Sequence, residues 1–396
     1  MKPSLPPMRR MAGLSLVELM IAMVIGLVVM LAVVQVFAAS RETYRLSEGL
    51  ARVQENSRFA MDTLQRELRM AGHFGCVNDQ AHNIQNPGTL QSTLNAATHP
   101  SLDFNQSIQG YEATNTEPGT SVTLAATPSV GGTAYSPTLP AEIAAALPNR
   151  VDGSDIVSLR YLMPDGVPVT SVGGTSQRPV FNFDASRLNV LRSGVTTPGL
   201  YGIADCLSAT VFQARTVDGG VANVAFGDAP NNTSLFTSVY KEGQTVLYRA
   251  ESIVFYVGYD ATTAQSSLYR VRFSANPNGA LVAGAPEALV EGVENLQLLY
   301  GQDRQLSTTS PTGYIDRQGT ATQVHASLTD KAAAWRRVGA VQLGMVVSSP
   351  DRASARQADG AAAMTTMGVT FTAPTDGRMR AVYQTTVALR NRLYGN

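Results

Sequence analysis

The feature that most restricts the fold of this chain is an apolar stretch near its N-terminus. Between residues 14 and 39 only Ser15, Glu18 and Gln35 carry polar side chains. A helix of these 26 residues would be about 39 Å long, which is enough to cross a hydrocarbon core of about 30 Å. Because the segment is apolar on every face, it needs hydrocarbon or other apolar helices around it. The sequence therefore predicts a membrane-spanning or bundled helix over residues 14–40.

The helix is predicted to continue beyond this segment in an amphipathic form. No proline occurs between residues 14 and 72, and Gly72 is a suitable C-terminal stop. A stripe of residues spaced by three or four predicts one buried face over residues 41–75. Its members are Leu46, Leu50, Val53, Ser57, Met61, Leu64, Leu68 and Ala71. The opposite face is expected to carry the ion pairs Glu48–Arg52 and Asp62–Arg66.

Basic residues and a glycine precede the apolar stretch in an unusual order. Lys2, Arg9 and Arg10 come first, and Gly13 lies directly before the stretch. In an ordinary signal peptide the small residue at the cleavage site follows the apolar region. Glu18 then lies inside the apolar segment, where an unpaired charge costs several kcal/mol. An alternative is a single-span signal anchor whose Glu18 reaches the cytoplasmic interface.

This N-terminus resembles the leader of type IV prepilins. The resemblance implies a leader over residues 1–13 and cleavage by prepilin peptidase between Gly13 and Leu14. It also implies N-methylation of Leu14. In that family the glutamate, here Glu18, neutralises the N-terminal amine of a neighbouring subunit.

Later segments are similar to those of PilW-type minor pilins, which are related to the J-type minor pseudopilins of type II secretion. The similar segments are residues 54–60, 68–76, 151–155, 289–296, 300–303, 335–338 and 385–392. They extend over most of the chain except residues 78–150. The resemblance implies an α+β fold, in which the long hydrophobic-then-amphipathic helix packs on a C-terminal antiparallel β-rich globular domain.

The sequence itself supports a β-rich head over residues 151–396. Runs of β-branched and aromatic residues between turn residues predict strands, and short connections favour antiparallel pairing. The predicted strands are 156–162, 209–216, 251–259, 268–273, 296–300, 338–347, 369–371 and 382–389. Residues 76–150 form a polar insertion that is either disordered or built of short strands with long turns.

Two cysteines, Cys76 and Cys206, are far apart in the sequence and belong to no CxxC motif. If the leader directs the head into the periplasm, a disulfide between them is expected. The alternative is a pair of buried thiols that never meet.

Neither an enzyme nor a cofactor nor a metal site is expected. The four histidines are scattered, and the chain lacks GxSxG, HExxH and a glycine-rich phosphate loop. The carboxylates of Asp152, Asp155, Asp303 and Asp316 lack the dense oxygen spacing of calcium loops. Balanced charge, 30 basic and 30 acidic residues, gives no reason to expect nucleic acid.

Two smaller predictions concern charged residues in the later segments. Glu291 and Glu294 are expected to be solvated on a short helix that precedes the strand 296–300. Arg390 and Arg392 alternate with Leu389 and Asn391, which predicts the wet face of a strand.

Together these features predict a minor pilin that takes part in priming and tip assembly of a type IV pilus. The resemblance implies as partners other minor pilins, the major pilin, the prepilin peptidase, an inner-membrane platform and an assembly ATPase. It implies a single-pass inner-membrane protein with a periplasmic head, which moves into the pilus on assembly and serves twitching motility or adhesion. Two alternatives remain open: a minor pseudopilin of type II secretion, and a tip adhesin or DNA-uptake factor that binds through residues 78–150.

Overall fold

The computed structural model of the protein describes residues 13, 15–77, 89–175, 177–224, 235–276, 279, 281–306, 312–353 and 363–392. One long N-terminal helix is joined to a strand-rich head. The α+β fold predicted from the sequence is therefore confirmed.

Helix α1 extends without interruption from Leu16 to Met70, which is 55 residues and about 82 Å at about 1.5 Å per residue. Ser15 is its N-cap, and Ala71 is its C-cap. Gly72 follows with φ +81°, a left-handed conformation that glycine adopts without a steric penalty. The predicted single helix and its stop are both observed.

The predicted buried stripe of α1 is observed only where the head lies against it. Six of its members, from Val53 to Ala71, are buried, whereas Leu46 and Leu50 are 46% and 38% exposed. The first eight residues after Ser40 are all exposed, so α1 emerges from the head before Gly49. The predicted pairs Glu48–Arg52 and Asp62–Arg66 are absent from the ion pairs within 4.0 Å that the described residues form.

The head contains short helices and 21 strands within the described residues. The helices are α2 (Ala141–Ala146), α3 (Leu188–Arg192), α4 (Ala321–Ala326) and α5 (Lys331–Arg336). The strands are β1 (Thr89–Ser92), β2 (Ile108–Ala113), β3 (Ser121–Thr123), β4 (Tyr135–Ser136), β5 (Ile156–Leu162), β6 (Val167–Thr175), β7 (Arg178–Phe183), β8 (Leu200–Ala204), β9 (Ser208–Gln213), β10 (Thr216–Asp218), β11 (Val221–Asn223), β12 (Val246–Asp260), β13 (Gln265–Ala275), β14 (Leu281–Ala283), β15 (Glu287–Glu291), β16 (Val293–Asp303), β17 (Ile315–Gly319), β18 (Val338–Arg352), β19 (Met364–Thr366), β20 (Val369–Thr372) and β21 (Arg378–Ala388).

Helix α1 packs on a four-stranded antiparallel sheet of order β17-β16-β18-β21. Val53, Met61, Leu64 and Leu68 of the helix join one hydrophobic cluster with residues of β16, β18 and β21. Trp335 of α5 completes this cluster, with its ring edge-on to Tyr300 at 5.0 Å between ring centroids. The apolar alternation of the strands and the helical stripe therefore meet in one core.

A larger, branched sheet of 14 strands forms most of the remaining head. Its longest member, β12, pairs antiparallel with β13, β5, β6 and β8. A three-stranded sheet of β19, β20 and β3 lies outside it. Antiparallel pairing dominates as predicted, with parallel pairs at β1–β9 and β20–β3.

The polar insertion is described from residue 89 onwards, whereas residues 78–88 lie outside the described residues. Of the two alternatives, short strands with long turns describe this part: β1 to β4 and α2 occur between residues 89 and 150. Strand β2 pairs with β5 from Ile108 to Tyr111. The insertion therefore joins the central sheet of the head.

Two predictions about charged residues are wrong. Glu291 and Glu294 lie on β15 and β16 rather than on a helix. Glu291 is exposed as predicted, whereas Glu294 makes a bidentate ion pair with Arg380 at 2.7 and 2.9 Å. Arg392 lies in a 3-10 helix, is 2% exposed and donates to the Trp335 carbonyl at 2.8 Å. The alternation of arginines with other residues could not distinguish a solvent-exposed face of a strand from a buried guanidinium that donates to a carbonyl.

A buried carboxylate, Asp155, makes the stability of the head depend on pH. Its oxygens accept hydrogen bonds from the backbone N–H groups of Ala113 and Leu298 at 2.9 and 2.8 Å. Burial and, to a smaller extent, the nearby carboxylate of Glu112 nevertheless raise the pKa of Asp155 to about 8. The pKa of an aspartate in an unfolded chain is about 3.9. Between these values the folded state holds a proton that the unfolded state has lost, so stability falls as pH rises.

We expect the urea midpoint of the protein to fall as the pH rises from about 5 to about 8. The midpoint of the Asp155→Asn variant should fall less over the same range. The variant lacks the titrating group but keeps a carbonyl oxygen as acceptor. A drop of equal size in both proteins would contradict the assigned titration of Asp155.

Candidate assembly site

The N-terminus of α1 is closed by a reciprocal pair of hydrogen bonds. The Ser15 Oγ accepts from the Glu18 N–H at 3.2 Å, and the Glu18 Oε2 accepts from the Ser15 N–H at 2.9 Å. This capping box satisfies donors that the first turn of a helix leaves open. Glu18, a charge inside an apolar segment, thus has one hydrogen-bond partner within its own chain. Among the described residues no donor contacts its Oε1.

The predicted cleavage site lies beside this cap. Gly13 is described and exposed, whereas Leu14 and residues 1–12 lie outside the described residues. Cleavage between Gly13 and Leu14 would retain the Leu14–Ser15 peptide bond, and with it the Ser15 N–H that Glu18 accepts. The predicted processing and subunit-pairing roles of these residues stay predictions.

The first half of α1 is uncovered on every side. An 18-residue window of this helix has a mean hydropathy of 2.8, and none of it is buried. Its large side chains, from Leu16 to Phe37, are 49% to 76% exposed. By length and composition the helix can cross a membrane. An apolar rod of this kind is stable only in hydrocarbon or among similar helices.

Four polar contacts fix the second half of α1 to the head, and the sequence analysis assigned a role to none of them. The Asn56 side chain donates to the Glu291 carbonyl at 3.0 Å, and the Asn391 side chain donates to the Arg69 carbonyl at 2.9 Å. Glu67 accepts from the Tyr161 hydroxyl and lies 3.6 Å from the Arg270 guanidinium. These contacts reach β15, β5, β13 and the 3-10 helix after β21, and they hold α1 at one register on the head.

The segments that carry the family resemblance meet at this joint. Asn56 belongs to segment 54–60 and contacts segment 289–296, while Asn391 of segment 385–392 contacts segment 68–76. Segment 151–155 joins them, because the Asp155 N–H donates to the Leu296 carbonyl at 2.9 Å. The resemblance therefore follows the contacts that attach the helix to the head.

The structure brings Cys76 and Cys206 together. Cys76 follows the end of α1 and Cys206 lies in the β8–β9 turn, with 3.2 Å between their Sγ atoms. Both are exposed and free, and their separation exceeds the disulfide bond length of about 2.05 Å. The hydrogen bond to Cys206 and partial burial raise the pKa of the Cys76 thiol. A disulfide between Cys76 and Cys206 remains a proposal. At this position it would link the end of α1 to the turn between β8 and β9.

We expect the protein taken from an oxidising compartment to carry this disulfide. Its intact mass should be lower by two hydrogen atoms than after reduction. In the chain-entropy model, closing a loop of about 130 residues stabilises the fold by up to about 5 kcal/mol. Reduction should therefore lower the urea midpoint of the protein but not that of the Cys76→Ser/Cys206→Ser variant. Two thiols that alkylate fully before reduction would contradict the pairing.

The four aspartates considered for calcium each contact protein groups. Asp303 accepts from the N–H groups of Gln305, Thr312 and Gly313, which keeps the pKa of Asp303 below its usual value. Asp316 pairs with Arg304 at 2.6 Å. Asp152 accepts from the Gly132 N–H at 2.7 Å. Within the described ranges no three metal-ligating side chains are grouped.

Two family models match the chain. The model of the prokaryotic N-terminal methylation motif matches residues 8–34, and that of type IV pilus-assembly protein W matches residues 254–391. No curated protein and no solved structure shows a significant match. The first match shows that the N-terminus carries the motif of a type IV pilin leader. The second shows that the C-terminal third of the chain is similar to PilW, type IV pilus-assembly protein W.

The PilW match begins in β12 and ends in the 3-10 helix after β21. It covers the four-stranded sheet on which α1 packs, together with segments 289–296 and 385–391. The leader match covers Gly13, Glu18 and the apolar, uncovered part of α1 up to residue 34. The two matches thus lie on the parts of the molecule that form the candidate site, and residues 35–253 fall outside both.

Proposed function

We propose that this protein is a minor pilin that takes part in priming and tip assembly of a type IV pilus. One observation carries the proposal: α1 is a single rigid helix whose second half is locked onto the head, while its first half is apolar and uncovered. Such a helix suits storage in a membrane and transfer into a bundle of similar helices. The PilW match supports the pilus over a type II secretion pseudopilus.

Glu18 is the residue that we expect to guide assembly. Cleavage at Gly13 would create a charged amine on Leu14 of each subunit. In the membrane the Glu18 carboxylate has the Ser15 N–H on Oε2 and no described donor on Oε1. An amine from a neighbouring subunit offsets the cost of this desolvated charge. Losing one partner of such a buried pair costs about 3–5 kcal/mol, which is enough to decide whether a subunit joins.

The size of the head favours a position at low copy number. More than 300 residues follow α1, and its described part contains three sheets. A shaft subunit repeats at a close axial spacing, where a bulky head would clash with its neighbours. A subunit near the tip has no such restriction, because few copies are present.

The test is removal of the gene, followed by complementation with this chain. We expect few or no surface pili without the protein and normal pili on complementation. Sheared pili should contain the chain in far smaller amounts than the major pilin. Normal piliation with a defect in protein secretion would contradict the pilus assignment and favour the type II secretion alternative.

A further inference from the structure

A groove of about 560 Å³ lies between α1 and the end of β18, just outside the buried part of the helix. Arg45 and Arg52 line it from the helix, and Arg352 lines it from the strand. The lining also includes two carboxylates, Glu48 and Asp351, so that positive charge predominates. All five side chains are exposed.

The walls of this groove are fixed by packing and hydrogen bonds. Gly49 allows the close approach, because a Cβ there would lie 2.8 Å from the Cβ of Ala353. The pairing of β18 with β21 is irregular between Ser348 and Arg352, and such bulges redirect side chains. The Ser349 hydroxyl holds this bulge by accepting from the Met379 N–H at 3.0 Å and donating to the Asp351 carbonyl at 2.7 Å.

Among the described residues, no carboxylate forms an ion pair with the three guanidinium groups of the groove. Arg45, Arg52 and Arg352 take part in none of the ion pairs within 4.0 Å that the described residues form. Elsewhere in the head, arginines such as Arg380 are paired with acidic residues at 2.6 and 2.7 Å. The groove therefore presents solvated guanidinium donors, which no described carboxylate occupies, in the planar geometry that binds phosphate.

The groove begins at the height of a membrane surface. Arg45 lies six residues after Ala39, the end of the apolar segment, or about 9 Å along the axis at about 1.5 Å per residue. The polar layer on each side of a bilayer is about 5–7 Å deep. A long arginine side chain can extend back along the helix to reach this layer.

We propose that this groove binds the phosphodiester headgroup of an anionic phospholipid in the membrane that α1 crosses. The proposal rests on the proposed function, since it requires α1 to span the bilayer with the head outside. Arg45 and Arg352 approach the phosphate from opposite walls, and Arg52 adds positive charge deeper in the groove. The bound lipid fixes the angle between the head and the membrane before assembly.

The test reconstitutes the full chain into nanodiscs with equal amounts of phosphatidylglycerol and phosphatidylcholine. Native mass spectrometry then counts the lipids that the protein retains. We expect the unchanged protein to retain phosphatidylglycerol in preference to phosphatidylcholine. In the Arg45→Gln/Arg352→Gln variant this preference should fall about fivefold for each guanidinium removed. The matched control is Arg41→Gln/Arg58→Gln, which removes the same charge from exposed positions of α1 outside the groove, with Arg41 closer to the apolar segment than Arg45.

Two results would overturn the proposal. One is equal retention of the two lipids by the unchanged protein. The other is an equal loss of preference in both double variants, which would show general attraction rather than a site. A chain that fails to enter the nanodiscs would contradict the membrane span itself, so failure of the proposed function is recognised separately.

Discussion

Glu18→Gln is expected to leave leader processing and the start of α1 intact while the subunit fails to enter the pilus. Glutamine at this position can still accept the Ser15 N–H, as it does in other capping boxes. What it lacks is the negative charge that a neighbouring amine would neutralise. The loss of a buried pairing of about 3–5 kcal/mol corresponds to a fall in incorporation of at least about 100-fold.

Glu18→Ala serves as the comparison, since it removes both the charge and the cap. The measurements are the N-terminal peptide of the membrane-bound chain and the amount of chain in sheared pili. If Gln behaves like Ala, the charge of Glu18 is what assembly requires. If Glu18→Gln enters pili normally and only Ala fails, Glu18 acts as a helix cap, and the charge-pairing mechanism is wrong.

Arg160→Met is expected to destabilise the head by about 3–5 kcal/mol. The free energy of unfolding of a folded domain is about 5–15 kcal/mol, so this loss is a large part of it. Arg160 lies on β5 and is 1% exposed. Its guanidinium donates to the carbonyls of Ser101, Gln106 and Pro100 at 3.3, 2.8 and 2.9 Å. Methionine fills similar space but leaves three carbonyl groups without these donors.

The urea midpoint of the full chain in detergent measures this effect. Arg58→Met, at an exposed position of α1, should change stability by less than about 0.5 kcal/mol. A change at Arg160 as small as that at Arg58 would show that water replaces the guanidinium.

The same reasoning means that deleting residues 89–148 would unfold the head, because that segment supplies β2 and the carbonyls around Arg160. A deletion of this kind therefore cannot test an adhesive role of the insertion.

Local patterns in the sequence predicted much of the fold. The predicted strand 156–162 coincides with β5, and the strand 338–347 forms most of β18. Each contains a run of β-branched residues between turns, so the local signal and the tertiary pairing agree. Helix α1 was predicted as a single helix because it contains no proline and ends at Gly72.

Other features depend on contacts that no local pattern reveals. Gly49 has a low intrinsic helix propensity, yet it allows a close approach of the strand end, because a Cβ there would lie 2.8 Å from the Cβ of Ala353. Arg392 was read as solvated, but it binds a carbonyl from α5, 57 residues away in sequence. The strands of the insertion are short and have weak local patterns, and the Arg160 guanidinium of β5 holds the turn before β2 by distant contacts with Pro100, Ser101 and Gln106. In the site, proximity of Cys76 and Cys206 was expected from the compartment alone, whereas the contacts of Asn56 and Glu67 were missed.

The most direct test of the account is the mass of the N-terminal peptide of the protein in its native membrane, with and without the prepilin peptidase. The account predicts a mature chain that begins at Leu14, is heavier by one methyl group and depends on the peptidase. A chain that still carries residues 1–13, or one cut after Ala39, would contradict it and leave a membrane-anchored or secreted protein without an assembly role.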